Sequence, residues 1–262
     1  MKTLIALSLL LTSLAANAEP CPDDNDGTRV TGVSQCLLTH HFGPPAAEHL
    51  LVWLHGDVSS GGAAKYHLPV AKRTTEALAA GTVNSVALIR PGYPDGSGES
   101  SSVDPRHDGR SDHYTRENVS EVAAAIRNLK KRYQSKRVTV IGHSGGAATT
   151  AIILGMEPGL VDSAVLVSCP CDLVAWRANR KAWSRSENPM VWMETTGPAT
   201  RVIALTGSRD DNTVPDIAKR YVEALIERGI RARFAEIPNA SHNEAFKASE
   251  VMEAITELLH TP

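Results

Sequence analysis

Aromatic residues are scarce in this chain, at 5% of its 262 positions, and neither sign of charge dominates. Lys and Arg number 27 against 29 Asp and Glu, a net charge of -2. That balance excludes the strongly basic surface that nucleic acid or an anionic membrane requires, so neither is expected as a partner. Long apolar runs are lacking as well. The N-terminal one, Leu4 to Leu14, is too short to span a bilayer and no later run is long enough, so no stable membrane insertion is expected. There is no internal repeat, low-complexity tract or Pro/Ser-rich linker, which leaves one domain over residues 19–262. A phosphate-binding G-x-x-x-x-G-K loop and a dinucleotide glycine motif are both missing, so no bound cofactor is expected.

Cysteine is sparse too, and its four positions take their meaning from the N-terminus. Lys2, the apolar run and the small residues Ala16-Asn17-Ala18 read as a secretory signal peptide cleaved after Ala18. Glu19-Pro20 before Cys21 does not resemble a lipoprotein processing site. The expected location is therefore the periplasm or the exterior, where an even number of cysteines favours disulfides. Cys21 with Cys36 would close a local loop. Cys169 and Cys171, one proline apart, either pair with each other or stay reduced. Four zinc ligands at suitable spacing are lacking, and the alternating His107-Asp108 and Asp112-His113 read as a solvated, capped loop rather than a metal site.

What is present is an alternation of apolar runs and helical patterns. HLLVWLHG (49–56) reads as a buried strand, and SVALIRPG (85–92), RVTVIG (137–142), SAVLVSC (163–169), RVIALTG (201–207) and RARFAEIP (231–238) read as further strands. Helical spacing appears between them, as in Val119, Val122, Ala123 and Ile126. Pro69 must either sit near the first turn of its helix or kink it. This order predicts right-handed crossovers and a mostly parallel sheet with helices on both faces, its ligand site at the carboxyl ends of the strands.

Gly142-His143-Ser144-Gly145-Gly146 lies between a strand and a helix and fits G-x-S-x-G. Small neighbours let strand and helix approach closely enough to hold the serine on a strained turn, beside free helix N–H groups. A serine hydroxyl needs a base and a group to orient that base. Asp210 and Asp211 follow one later strand, and His242 follows another.

In these residues the chain resembles the α/β-hydrolase superfamily from about residue 48 to its C-terminus. The resemblance implies an eight-stranded α/β-hydrolase sheet and a triad in the order Ser144, aspartate, His242. The loop after Gly207 is most similar to the G-x-x-D-D-x-x-V pattern of dienelactone-hydrolase-like and prolyl-oligopeptidase-like members, which implies Asp210 rather than Asp211. Dienelactone hydrolases use cysteine where this chain has Ser144. The family's oxyanion donors map to the backbone N–H groups of Gly145 and, after His55-Gly56, of Asp57. A carboxylate is atypical there and must point away or bond locally to Ser59 or Ser60; His55 is read as orienting the loop. IRPGYPDGSGES (89–100) resembles a structural loop of the family.

Many members insert a cap where residues 172–197 lie, and the short segment here implies a reduced cap over an open site. Trp176 and Trp183, seven apart on one face of a possible helix, Trp192 and His143 are candidate pocket residues. Arg177, Arg180, Lys181 and Arg185 read as exposed helix decoration or as a hold for an anionic group. The expected function is hydrolysis of a small-molecule carboxylic ester through an acyl-enzyme. The alternatives are a serine exopeptidase or amidase and a non-catalytic binding protein on a hydrolase scaffold. A redox role for Cys169-Pro170-Cys171 is more distant. The oligomeric state is not readable.

Overall fold

The computed structural model describes Cys21 and residues 26–78 and 81–260. The signal-peptide segment and its cleavage site after Ala18 lie outside the described residues. Eight strands form one sheet: β1 (Arg29–Thr31), β2 (Cys36–Phe42), β3 (His49–Leu54), β4 (Val83–Leu88), β5 (Arg137–His143), β6 (Ser163–Val167), β7 (Arg201–Gly207) and β8 (Arg231–Ile237). Their spatial order is β1-β2-β4-β3-β5-β6-β7-β8. The pairs β1–β2 and β2–β4 are antiparallel and every later pair is parallel.

The central strands are buried along almost their whole length, as both-faces-covered parallel strands must be. Helices α1 (Leu68–Ala77), α2 (Arg116–Arg132), α3 (Gly145–Met156), α6 (Pro215–Glu227) and α8 (Ser249–His260) cover the sheet, and a single turn, α7 (His242–Ala245), follows β8. Pro69 sits in the first turn of α1, where it costs no hydrogen bond. The Thr115 side chain caps α2 by accepting from the Asn118 N–H, and Lys130, Lys131 and Arg132 occupy its last turn. Between β6 and β7 run only the short helices α4 (Leu173–Trp176) and α5 (Pro189–Trp192) and one 3-10 turn.

The six expected strands are all present; β1 and β2 are additions. They are tied to α2 by Glu121, whose buried carboxylate accepts from the N–H groups of Val33, Ser34 and Gln35. Cys21 is bonded to Cys36, and Cys169 to Cys171. No described helix is long and apolar enough to cross a membrane. The expected helix carrying both Trp176 and Trp183 is not formed. It ends at Trp176 because the chain turns back there, with the Arg177 side chain donating to the Lys181 carbonyl. The loop with His107-Asp108 and Asp112-His113 is less solvated than expected: His113 is buried, and Asp112 accepts from the N–H groups of Arg185 and Ser186.

Four buried histidines give a testable property. Burial, followed by the charge of neighbouring groups, lowers His67, His113 and His143 from 6.5 to about 3 and lowers His55 well below its usual range. Below pH 6.5 the unfolded chain therefore binds protons that the native chain refuses. Their contribution to stability is fully present above that pH and is lost as pH falls below it, by about 1.4 kcal/mol per pH unit for each histidine. The urea midpoint is expected to drop steeply between pH 7 and pH 5. His67→Leu removes one of these protons and should flatten the slope.

Candidate active site

Ser144 stands between β5 and α3 with φ +52° and ψ -118°. That left-handed backbone costs a serine about 1–3 kcal/mol and needs its surroundings to enforce it. The close packing does so. A Cβ on Gly142 would lie 2.5 Å from the Gly146 carbonyl oxygen, and one on Gly146 would overlap the Leu54 carbonyl. The Ser144 N–H donates to the Val167 carbonyl at 2.8 Å, fixing the turn to β6.

Asp210 and His242 meet in the loops after β7 and β8. Nδ1 of His242 lies 3.0 and 2.9 Å from the two carboxylate oxygens of Asp210, so the ring proton sits on Nδ1 and Nε2 is left as an acceptor. Asp210 Oδ1 also accepts from the N–H groups of Asn212 and Thr213, and Oδ2 is 2.9 Å from the Thr213 hydroxyl. Burial raises the Asp210 carboxyl, but the hydrogen bond and charge of His242, with bonds from Thr213 and Ser168, outweigh it and hold the group below the usual carboxylate range. Asp211 is exposed and makes none of these contacts.

A chain of bonds reaches the backbone of His242. The Gly56 N–H donates to the Tyr66 hydroxyl, which donates to His143 Nδ1 at 2.7 Å, while His143 Nε2 donates to the His242 carbonyl at 3.0 Å. Both ring nitrogens of His143 are therefore used, as a neutral imidazole allows. Burial and the nearby His242 charge lower it to about 3, which keeps it neutral.

Of the two arrangements expected for the Asp57 side chain, pointing away or bonding locally to Ser59 or Ser60, it takes the first and reaches distant partners. Its Oδ1 accepts from the Arg90 guanidinium at 2.6 Å and its Oδ2 from the Tyr114 hydroxyl at 2.6 Å. Arg90 is 1% exposed, and its own backbone N–H donates to His55 Nε2 at 2.9 Å. His55 in turn donates from Nδ1 to the Gly56 carbonyl, so it orients the loop as expected. The N–H groups of Asp57 and Gly145 have no hydrogen-bond acceptor among the described residues. Both are therefore available to an oxygen bound near Ser144.

Asp57, His143, Ser144, Trp176, Trp183 and His242 line one cleft of about 470 Å3 at the carboxyl ends of the strands. A larger groove of about 900 Å3 lies beside β2, lined by His40, His41 and Tyr133, and shares no residue with the cleft. Trp176 and Trp183 meet edge to face at 5.1 Å. Trp192 does not line this cleft. It packs over α3, and its indole N–H donates to Glu187 at 2.9 Å. Tyr66, Arg90, Tyr114, Ser168 and Thr213 were not anticipated as parts of the site. Only Thr213 left a sequence signal, since a threonine three residues after an aspartate closes a hydrogen-bonded turn.

Fold and site together define a hydrolase of the α/β class. Residues 51–196, more than half of the chain, match the model of the alpha/beta hydrolase family, and the protein belongs to that family. The match ends before Asp210 and His242. No curated protein matches the sequence. Solved structures share the fold at low identity. Est1E from Butyrivibrio proteoclasticus, determined with ferulic acid bound, is 14% identical with a TM-score of 0.67, over 88% of this chain and 97% of its own. An esterase from Pyrococcus furiosus is 18% identical with a TM-score of 0.63, over 88% of each chain. A puromycin-hydrolyzing peptidase from Mycobacterium tuberculosis is 17% identical with a TM-score of 0.66, over 88% of this chain but 38% of the peptidase.

Proposed function

We propose that this protein is a secreted or periplasmic serine hydrolase that cleaves small carboxylic esters. The observation that carries the reading is the Asp210–His242 hydrogen bond, in the same site as a serine held at positive φ. In this reading the Ser144 hydroxyl attacks the ester carbonyl and His242 Nε2 takes its proton. The N–H groups of Asp57 and Gly145 bind the oxyanion. His242 then protonates the departing alcohol, leaving an acyl-Ser144. Water, deprotonated by the same imidazole, releases the carboxylic acid and restores the serine. Asp210 fixes the tautomer throughout. Two disulfides suit an oxidising compartment and support the proposed location.

The ester preference rests on the esterase among the fold neighbours and on a short segment over the site. The peptidase neighbour keeps an amidase reading in view. A panel of p-nitrophenyl esters from acetate to decanoate, beside aminoacyl-p-nitroanilides, separates the two. Ester turnover is expected to dominate; amide turnover at comparable rates would move the assignment to a peptidase. A fluorophosphonate is expected to label the wild-type protein and not Ser144→Ala. A folded protein that neither labels nor turns over any member of the panel would instead be a binding scaffold.

A further inference from the structure

Arginines behave differently inside and outside the cleft. Arg106, Arg116 and Arg185 stand in the two segments that border it, and each is paired with a carboxylate, on Asp104, Glu187 and Asp112. Arg110, Arg177 and Arg180 line the cleft itself, and none has a carboxylate partner among the described residues. The carboxylate lining the cleft, Asp57, is already held by Arg90 and Tyr114. The surface around Ser144 thus carries uncompensated positive charge in a chain whose net charge is -2.

The three guanidinium groups are also held in place. Arg110 donates to the carbonyls of Val58 and Gly62 at 2.7 and 2.9 Å. Arg177 lies 5.2 and 5.0 Å from the ring centres of Trp176 and Trp183, and its Nε donates to the Lys181 carbonyl. Its two terminal nitrogens have no partner among the described residues. Arg180 donates to the Asn212 side chain at 3.0 Å and lies over Trp176. Trp176 is itself anchored by an indole N–H bond to the Asn212 carbonyl at 2.7 Å. A guanidinium stacked on indoles keeps its N–H edge free and loses little freedom when it binds.

We infer that the cleft selects esters carrying a carboxylate, which Arg177 and Arg180 receive while Trp176 and Trp183 cover the apolar spacer between that carboxylate and the scissile bond. The inference rests on the esterase reading for the location of the scissile bond. Lys181 and Arg185 are outside this site, so the four basic residues of the segment divide into two with a binding role and two without.

Two matched ester pairs test it. Mono-4-nitrophenyl adipate against 4-nitrophenyl hexanoate places the charge on the acyl side; 4-acetoxybenzoate against 4-methylphenyl acetate places it on the alcohol side. The anionic member of at least one pair is expected to have a kcat/KM about tenfold higher or more, the usual weight of charge-assisted hydrogen bonds. Arg177→Gln combined with Arg180→Gln should bring the ratio to about one. Arg185→Gln should keep the wild-type ratio, and roughly 0.5 M NaCl should compress it. Independently of turnover, benzoate should change the tryptophan fluorescence of Ser144→Ala saturably, whereas benzamide should not, and the Arg177/Arg180 double variant should lose the response. Benzoate binding without turnover of any ester would overturn the esterase reading and leave the anion site standing. Ester turnover without charge preference in either pair, or with the neutral member faster in both, together with no benzoate response, would overturn the anion site alone.

Discussion

Asp210→Asn is expected to lower kcat for a p-nitrophenyl ester by about ten-thousand-fold, while Asp211→Asn leaves it close to wild type. The size of the effect follows from how the carboxylate is held. Oδ1 is committed to the N–H groups of Asn212 and Thr213. In the asparagine variant the amide oxygen stays there, and its NH2 takes the position of Oδ2 facing His242 Nδ1. An N–H pointed at Nδ1 forces the ring proton onto Nε2, the atom that must accept the proton from Ser144. The turn is preserved, so the fold should survive with the wrong tautomer in place. Steady-state kinetics of both variants, with thermal unfolding as the control, decides the matter. A crippled Asp211→Asn beside an active Asp210→Asn would reverse the assignment.

The parts of this site that were legible in the sequence are those set by local chemistry. Val138, Val140 and Ile141 are apolar, with only Thr139 among them, because β5 is buried on both faces, and Gly142 and Gly146 mark the place where β5, β3 and α3 come closest. The aspartate pair follows another such strand, RVIALTG, whereas His242 follows β8, which is only partly buried. Composition alone could not choose between Asp210 and Asp211, since both are carboxylates in one turn. Family resemblance points to Asp210, and the physical reason is the enclosure of Asp210 by Thr213 and His242.

What was illegible depends on distant partners or on the absence of regular structure. β1 has three residues, and β2 contains Thr39, His40 and His41, so neither presents the apolar run of a buried strand. Trp176 and Trp183 have helical spacing but meet through a turn, and Trp192 lies nearby in sequence yet packs on α3. The partners of Asp57 are 33 and 57 residues away, and nothing near Asp57 in the sequence announces them.

That remote network sets the last expectation. Arg90→Met is expected to destabilise the fold by about 3–5 kcal/mol, because it leaves the Asp57 carboxylate partly buried without its cation. It should also depress kcat by about a hundredfold or more, since a displaced Asp57 no longer presents its N–H to the oxyanion and brings negative charge toward it. Gly145→Ala should disturb the same place from the other side: its Cβ would overlap Asp57 Oδ1 and lie 2.8 Å from the Tyr114 hydroxyl. Asp57→Asn separates the two roles. The backbone N–H remains and the repulsive charge is gone, so kcat should stay within about tenfold of wild type. Arg90, 1% exposed, meanwhile loses its counter-charge and stability falls. Urea unfolding and kcat measured on all three variants test this division. If Asp57→Asn loses activity as severely as Arg90→Met while remaining fully stable, the Asp57 carboxylate acts on the substrate itself, and its reading as an anchor for the oxyanion loop fails.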